Sequence, residues 1–256
     1  MKATSIPGHE QSFRTTGKDS SGKQHVLEPF EVTIPGTSEK VPMVKCTREN
    51  GDDSFYFKEE VPKKRIVLHH TAGYLKGDID ALTRDGNHVS VPFVIARDGT
   101  IYNLWSSKYW SYHLGAGAQG GNTEMSRSSI GIELSNIGYL QKNGSNLVSP
   151  YSSTDVYCSL DETSFYKKVD QPFREREYFA TFTKQQCASL VLLLRYLTAK
   201  YNIPPKFVDV AQRYGILTAP QEFQGITSHV NYRPSGKWDI GPCFEWDKIA
   251  TEIQTA

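Results

Sequence analysis

Two histidines and one aspartate are the side chains in this sequence best suited to chemistry. His69 ends an apolar run within IVLHHTAG, while His229 and Asp239 lie ten residues apart within SHVNYRPSGKWDIGPCFEW. Two imidazoles and one carboxylate make a ligand set that can hold zinc and leave one coordination position free for water. The spacing alone also permits a second interpretation, in which the histidines are structural residues satisfied by hydrogen bonds.

The segments around these residues predict a mixed α/β fold. KKRIVLHH has the pattern of a buried strand, because it is charged at its start and apolar within. SVPFVIARDGTIYNLW predicts a hairpin that turns at Asp98 and Gly99, and SSIGIELSN predicts a further strand. The clearest helix starts at a capping box on Thr183 and ends near Asn202 and Pro204. We therefore expect a mixed central β-sheet flanked by helices.

Composition divides the chain into an extension and one larger domain. Residues 1–60 are polar with a few short apolar runs, which predicts a short β-rich N-terminal extension. Residues 61–256 are expected to form the domain that carries the candidate site. Within it, residues 141–181 are polar and turn-rich without a clear period, which indicates an insertion or a long surface loop.

Charge, hydropathy and cysteine spacing exclude several classes of protein. The formal net charge is +1 with neither sign in a long block, so nucleic acid is not expected as a partner. No run of about 18 apolar residues occurs, so membrane insertion is not expected. The N-terminal stretch lacks the apolar core of a signal peptide, which predicts synthesis in the cytoplasm. The four cysteines form no CxxC pair and are expected to be buried free thiols.

Five motifs occur in order along the chain: IVLHHTAG, FVIARDGTIYNL, YHLGAG, SIGIELSN and SHVNYRPSGKWDIGP. This ordered set resembles a known family, the zinc-dependent N-acetylmuramoyl-L-alanine amidases. The family, amidase type 2, includes amidase-type phage lysozymes and the peptidoglycan recognition proteins. The resemblance spans about residues 60 to 250, is weakest over residues 141–181, and implies the family's fold and a Zn2+ cofactor.

The resemblance implies His69, His229 and Asp239 as the zinc ligands. His70 is expected to point away from the site, because successive side chains of a strand alternate between its faces. Cys243 is close enough in sequence to compete as a thiolate ligand, but it lies four residues beyond the family position. Zinc held by such a set lowers the pKa of its bound water from about 15.7 to about 7.

Two further residues receive catalytic roles from the resemblance. Glu133 lies within the apolar strand SIGIELSN, where a carboxylate is costly without a task and where burial raises its pKa. It corresponds to the general acid/base of many members. Other members carry Tyr and His at the positions of Val91 and Pro92, so Glu133 is the acid/base candidate here. Lys237 corresponds to a lysine that stabilises the developing oxyanion, although by itself it would be interpreted as a solvated loop lysine.

Three residues are expected to bind substrate. His113 corresponds to a histidine that lines the family's groove, and Asn136 corresponds to a polar position near it. Trp110 could stack on a sugar ring or on the peptide stem, but a large aromatic side chain is equally suited to the core.

The resemblance implies hydrolysis of the amide between N-acetylmuramic acid and L-alanine in bacterial peptidoglycan. We expect a monomeric phage endolysin that acts on the cell wall after release or delivery, with peptidoglycan or muropeptide as its partner. The alternatives are a recognition module that binds without cleaving, a muropeptide-recycling amidase or secreted effector, and an unrelated zinc hydrolase acting on another amide.

Overall fold

The computed structural model describes residues 1–254, which form two β-sheets with helices packed around them. Short 3-10 turns occur at Ala3–Ser5, Val210–Gln212 and His229–Asn231. The helices are α1 (Ile6–Thr16), α2 (Leu75–Leu82), α3 (Asn122–Arg127), α4 (Lys184–Tyr201) and α5 (Trp246–Glu252). The strands are β1 (His25–Thr33), β2 (Lys40–Arg48), β3 (Arg65–His70), β4 (Phe93–Ile95), β5 (Ile101–Asn103), β6 (Ser129–Leu134), β7 (Tyr139–Asn143), β8 (Asn146–Val148), β9 (Val156–Ser159), β10 (Tyr166–Phe173), β11 (Arg176–Ala180) and β12 (Gly225–Ser228).

The larger sheet has the strand order β1-β2-β5-β4-β6-β3-β12 and mixes parallel and antiparallel pairs. Strands β12, β3, β6 and β4 run parallel, whereas β4 and β5 form the antiparallel hairpin. This confirms the predicted mixed sheet. Alternation along β3 puts Ile66 and Leu68 in the core with α4, while Val67 packs with Leu114 on the other face. His69 therefore follows Val67 onto the face away from α4.

Helix α4 begins after Thr183 and ends at Asn202, as predicted. The hydroxyl of Thr183 accepts a hydrogen bond from the Gln186 backbone, and the Gln186 side chain accepts one from the Thr183 backbone. Asn202 adopts the left-handed conformation that commonly ends a helix. Leu190, Leu194 and other residues at helical spacing are fully buried against the sheet. Within residues 1–254, every helix is too short or too polar to cross a membrane.

Residues 139–180 form a second sheet rather than a long loop. Its five strands are antiparallel in the order β10-β11-β7-β8-β9. Leu140, Leu147 and Tyr157 form a small core together with Ala3 and Ile6 of the N-terminal segment. Most of β10 is exposed or only half-buried, so its sequence lacks the alternation that marks a strand. That this sheet is an insertion stays a prediction.

The N-terminal 60 residues supply two strands of the larger sheet, and their helix α1 packs against it. β2 pairs in parallel with β5, and Phe13 of α1 is 0% exposed within a core that includes Tyr102. The carboxylate of Glu10 accepts hydrogen bonds from the backbone at 97 and 98, at the turn of the β4-β5 hairpin. The boundary near residue 60 stays a prediction, but these contacts show that the segment braces the sheet.

A buried chain of polar groups supports the same region. His25 bonds Asp19 at 3.0 Å and lies 3.8 Å from the thiol of Cys46. The His25 and Asp19 side chains and Cys46 are 0% exposed, so this Cys-His-Asp arrangement has no route to a substrate. All four cysteines are free; Cys46, Cys158 and Cys187 are buried, and Cys243 is partly exposed.

Deletion of residues 1–45 is expected to destabilise the protein markedly. The deletion removes Phe13 and Glu10 together with β1 and most of β2, and loss of one buried Phe side chain alone costs about 3–5 kcal/mol. The check is the thermal unfolding midpoint of the truncated chain. Glu31→Ala, at an exposed position in β1, is the matched control and should unfold like the wild type. An unchanged midpoint after deletion would make the segment peripheral.

Candidate metal centre and active site

His69, His229 and Asp239 meet at the carboxyl ends of two neighbouring strands. Leu68 of β3 pairs with Ser228 of β12, so the histidine that follows each of them emerges at the same edge of the sheet. The Nδ1 atoms of His69 and His229 are 3.0 Å apart. Asp239 Oδ2 lies 3.1 Å from the first and 2.8 Å from the second. All three residues are buried, and their ligand atoms lie close enough together to share one metal ion.

The hydrogen bonds of the two rings determine which nitrogen carries a proton. Nε2 of His229 lies 3.0 Å from the carbonyl oxygen of Leu114, so this nitrogen donates and Nδ1 is left with its lone pair. A backbone carbonyl that orients a ligating imidazole in this way is a common feature of metal sites.

A series of hydrogen bonds through His113 and Ser129 orients His69. Ser129 donates its hydroxyl proton to the Met125 carbonyl at 2.7 Å, so it accepts from Nε2 of His113 at 2.8 Å. Nδ1 of His113 then accepts from Nε2 of His69 at 3.0 Å, and His69 Nδ1 keeps its lone pair. Burial and the positive charges of neighbouring groups lower the pKa of His113 well below its usual range, which keeps this ring neutral.

The donor set fits a divalent cation such as zinc. Two imidazole lone pairs and one carboxylate oxygen converge, and these acceptors repel one another unless a cation or a proton lies among them. Burial lowers the pKa of His69 to about 4. Burial raises the pKa of Asp239, but the positive charge of His229 and hydrogen bonds from the Nδ1 atoms of both histidines, which exist only while a proton takes the place of the metal, outweigh it and hold that pKa well below its usual range. Neutral imidazoles and an ionised carboxylate are the protonation states that bind metal.

Two other candidate ligands lie outside this cluster. Within residues 1–254, the group of side chains that could bind one metal ion includes neither His70 nor Cys243. The His70 ring instead packs against Gly138, where an added Cβ would lie 2.4 Å from it. Neither nitrogen of His70 has a hydrogen-bond partner among these residues.

Glu133 lies beside the cluster at the wall of a cavity of about 350 Å³. Its Cα pairs with that of His69 across β3 and β6, so both side chains point to the same face. Its Oε2 atom is buried without a hydrogen-bond partner among residues 1–254. Burial, followed by the charges of Asp239 and Asp78, raises the pKa of Glu133 well above its usual range, and Lys237 opposes this. A carboxyl group with a raised pKa can hold a proton that an ionised surface carboxylate would have lost.

Of the remaining predicted residues, some line the cavity and others do not. Lys237 and His113 contribute to its wall. Trp110 does not, because it stacks on Phe57 at 4.2 Å and donates its indole N–H to Glu59. Asn136 does not line the cavity either. Its amide is 1% exposed, donates to the Thr181 carbonyl and accepts from the backbone of Gly138, so no polar atom is left for a ligand.

The cavity wall also includes residues that the sequence did not indicate. Trp238 packs at a tilt of 53° against Tyr139, with ring centres 4.7 Å apart. Tyr151 and Val89 lie at the rim, and their exposed fractions of 72% and 50% are high for apolar side chains. Trp238 adjoins Asp239 in a recognised motif and was within reach of sequence analysis, whereas Tyr151 lies in a segment without a periodic pattern.

Comparisons with known proteins agree with this geometry. The family model described as N-acetylmuramoyl-L-alanine amidase, Amidase_2, matches residues 59–242. N-acetylmuramoyl-L-alanine amidase AmiD of Escherichia coli (strain K12) is 24% identical over 194 residues, which cover 74% of this chain and 52% of that protein. The chain therefore spans about half the length of this curated relative.

The solved structure of a relative shows the same fold. The complex of AmiD from E. coli with anhydro-N-acetylmuramic acid-L-Ala-D-gamma-Glu-L-Lys has a TM-score of 0.51 and 23% identity, covering 76% of this chain and 59% of that one. The amidase LysC from Clostridium intestinale URNW has a TM-score of 0.40 and 20% identity, covering 77% and 88%. The family model matches most of this chain's length, so the chain belongs to the amidase type 2 family of N-acetylmuramoyl-L-alanine amidases.

Proposed function

We propose that this protein hydrolyses the amide bond between N-acetylmuramic acid and L-alanine, with zinc bound by His69, His229 and Asp239. The observation that carries the proposal is the convergence of three metal-ligand atoms beside Glu133, whose Oε2 atom is buried without a hydrogen-bond partner among the described residues. The muropeptide named in the AmiD complex supports a substrate of the same class.

The residues around the cavity have different roles in amide hydrolysis. Zinc in this site would supply a Lewis acid that polarises the scissile carbonyl and makes water acidic. Glu133 accepts a proton from the attacking water and donates it to the amine of L-alanine as that group leaves. Its raised pKa favours the protonated form that the second of these steps requires. The Lys237 ammonium, at the same wall, stabilises the negative charge that develops on the carbonyl oxygen.

The main alternative is a module that binds muropeptides without cleaving them. Such a module has no need for a carboxyl oxygen buried without a hydrogen-bond partner, because this arrangement costs stability. Glu133 and Lys237 at one cavity therefore favour catalysis. Endolysin and recycling roles differ in substrate, since an endolysin must accept intact cross-linked peptidoglycan.

Mass spectrometry of peptidoglycan and of soluble muropeptides incubated with the protein tests this function. We expect free stem peptides that begin with L-alanine, loss of this product with a zinc chelator, and recovery when zinc is added. Cleavage of intact wall would favour the lytic role, and cleavage of soluble muropeptides alone would favour recycling. Binding without cleavage would make the site a recognition site.

Tyr151→Ala is expected to weaken substrate binding while leaving the chemical step nearly unchanged. An exposed aromatic ring at the cavity rim can stack on a sugar, and loss of such a contact costs about 1 kcal/mol, or about fivefold in KM. The measurement is kcat and KM on a muropeptide. Val210→Ala is the matched control, because Val210 is 71% exposed and does not line this cavity. A fall in kcat with constant KM would contradict this role.

A further inference from the structure

The second sheet reaches the active site through one hairpin tip. β10 and β11 are joined by Arg174 and Glu175, whose φ angles of 48° and 67° define a tight left-handed turn. This turn lies against the segment that runs from His229 to Asp239. The segment contains two of the proposed zinc ligands and Lys237, so whatever fixes its backbone also fixes these side chains.

Arg174 ties this segment at four points. Its guanidinium donates from Nη1 to the Lys237 carbonyl at 2.6 Å. It donates from Nη2 to the carbonyls of Arg233 at 2.8 Å and Val230 at 3.4 Å. The carbonyl of Arg174 itself accepts from the Trp238 indole at 3.1 Å. A planar guanidinium can hold several carbonyls in one fixed geometry, which a lysine ammonium does less well.

The segment has few other restraints at its centre. Residues 234–236 read Pro-Ser-Gly and are exposed, and Gly236 has a φ of 72°. At its ends, the Val230 amide donates to the Asp239 carbonyl at 3.0 Å, and Asn231 is buried and fully bonded. Arg233 donates to the Leu114 carbonyl at 3.3 Å and Trp238 packs against Tyr139, and Arg174 supplies the remaining hydrogen bonds that link the exposed bend to the second sheet.

We propose that Arg174 is a positioning residue that holds Lys237 and Asp239 in place for zinc binding and amide hydrolysis. The second sheet then contributes to the active site through its hairpin tip as well as through its rim. The activity readout of this inference rests on the proposed function, whereas the order of the segment from 229 to 239 can be measured without it.

The test compares Arg174→Ala and Arg174→Lys with the control Glu177→Ala, whose side chain is exposed in the same hairpin. The three measurements on the full chain are hydrogen exchange over residues 229–239, zinc affinity by competition with a chromophoric chelator, and kcat with KM. For Arg174→Ala we expect faster hydrogen exchange in this segment. Zinc binding should be about 10- to 100-fold weaker, which is the range for losing a group that orients a metal ligand. The value of kcat should fall, with KM within about twofold of wild type. Arg174→Lys should lie between Ala and wild type, and the control should match wild type.

Wild-type exchange, zinc affinity and kcat in a folded Arg174→Ala protein would overturn the inference. If the alanine variant does not fold, the lysine variant decides, and wild-type values in that variant would overturn the inference equally. If the wild type cleaves no muropeptide, the proposed function fails, while faster exchange and weaker zinc binding in Arg174→Ala would still support the positioning role.

Discussion

Replacing Glu133 by glutamine is expected to remove nearly all turnover while keeping the fold and the zinc. The amide has the size and shape of the carboxyl group but cannot take up and release a proton. General acid-base catalysis by a positioned side chain contributes about 10²- to 10⁴-fold, so kcat should fall by that factor with KM little changed. Steady-state kinetics on a muropeptide gives the answer. Near-normal kcat would remove Glu133 from the mechanism.

The same substitution has a second expected effect, on stability, that separates a catalytic role from a structural one. Burial raises the folded-state pKa of Glu133, so ionising it in the metal-free protein costs stability. The stability that protonated Glu133 contributes is complete below its unfolded-state pKa and is lost as pH rises through the higher folded-state pKa. Glutamine has no such dependence. The unfolding midpoint of metal-free Glu133→Gln should therefore equal or exceed that of wild type, with a difference that grows as pH rises toward neutral.

A lower midpoint for Glu133→Gln at neutral pH would indicate that the carboxylate stabilises the fold. Its loss of activity could then follow from a disordered site. Glu59→Gln is a suitable control, because Glu59 is a surface carboxylate whose pKa is lowered by its hydrogen bond to Trp110. Its stability contribution is present above its unfolded-state pKa, so the pH trend of this variant should have the opposite sign.

The parts of the site that sequence analysis predicted are those whose signals are local. The strand before His69 is a short apolar run, and the helix after Thr183 starts with a capping box, so each can be recognised within a few residues. Glu133 was recognisable because a charged residue interrupts an apolar strand. The convergence of His69, His229 and Asp239 spans most of the chain, and the resemblance to a family, rather than spacing, indicated it.

The parts that the sequence did not indicate depend on contacts between distant segments. Trp110 is held by Phe57, and nothing at either position shows that the two rings stack. Strand β10 is exposed along most of its length, so its residues carry no pattern of alternating burial. Arg174 lies in a polar stretch, and its importance follows only from the carbonyls that surround it in the folded chain. Polar recognition of backbone by a side chain leaves no periodic signal in a sequence.

His229→Ala is expected to abolish zinc binding and activity together. The substitution removes one of three ligand atoms and leaves Asp239 with His69 as its only imidazole neighbour in the ligand cluster. Zinc content by plasma emission spectrometry should fall from one ion per chain to background, and kcat should fall at least as far as in Glu133→Gln. His70→Ala is the matched control, because His70 adjoins His69 in sequence but lies outside the ligand cluster.

Zinc-dependent stability provides an independent measure of the same loss. A ligand present at about 1,000 times its Kd stabilises the folded state by about 4 kcal/mol, so zinc should raise the unfolding midpoint of wild type and of His70→Ala by several degrees. It should leave His229→Ala unchanged, since the variant has no complete site. Full zinc occupancy in His229→Ala would refute this ligand set, and loss of zinc in His70→Ala would make the second histidine of the pair a ligand. The Nδ1 atoms of His229 and His69 face each other at 3.0 Å, so His69 and not His70 is the partner of His229. We therefore expect His229→Ala to lose the metal and His70→Ala to keep it.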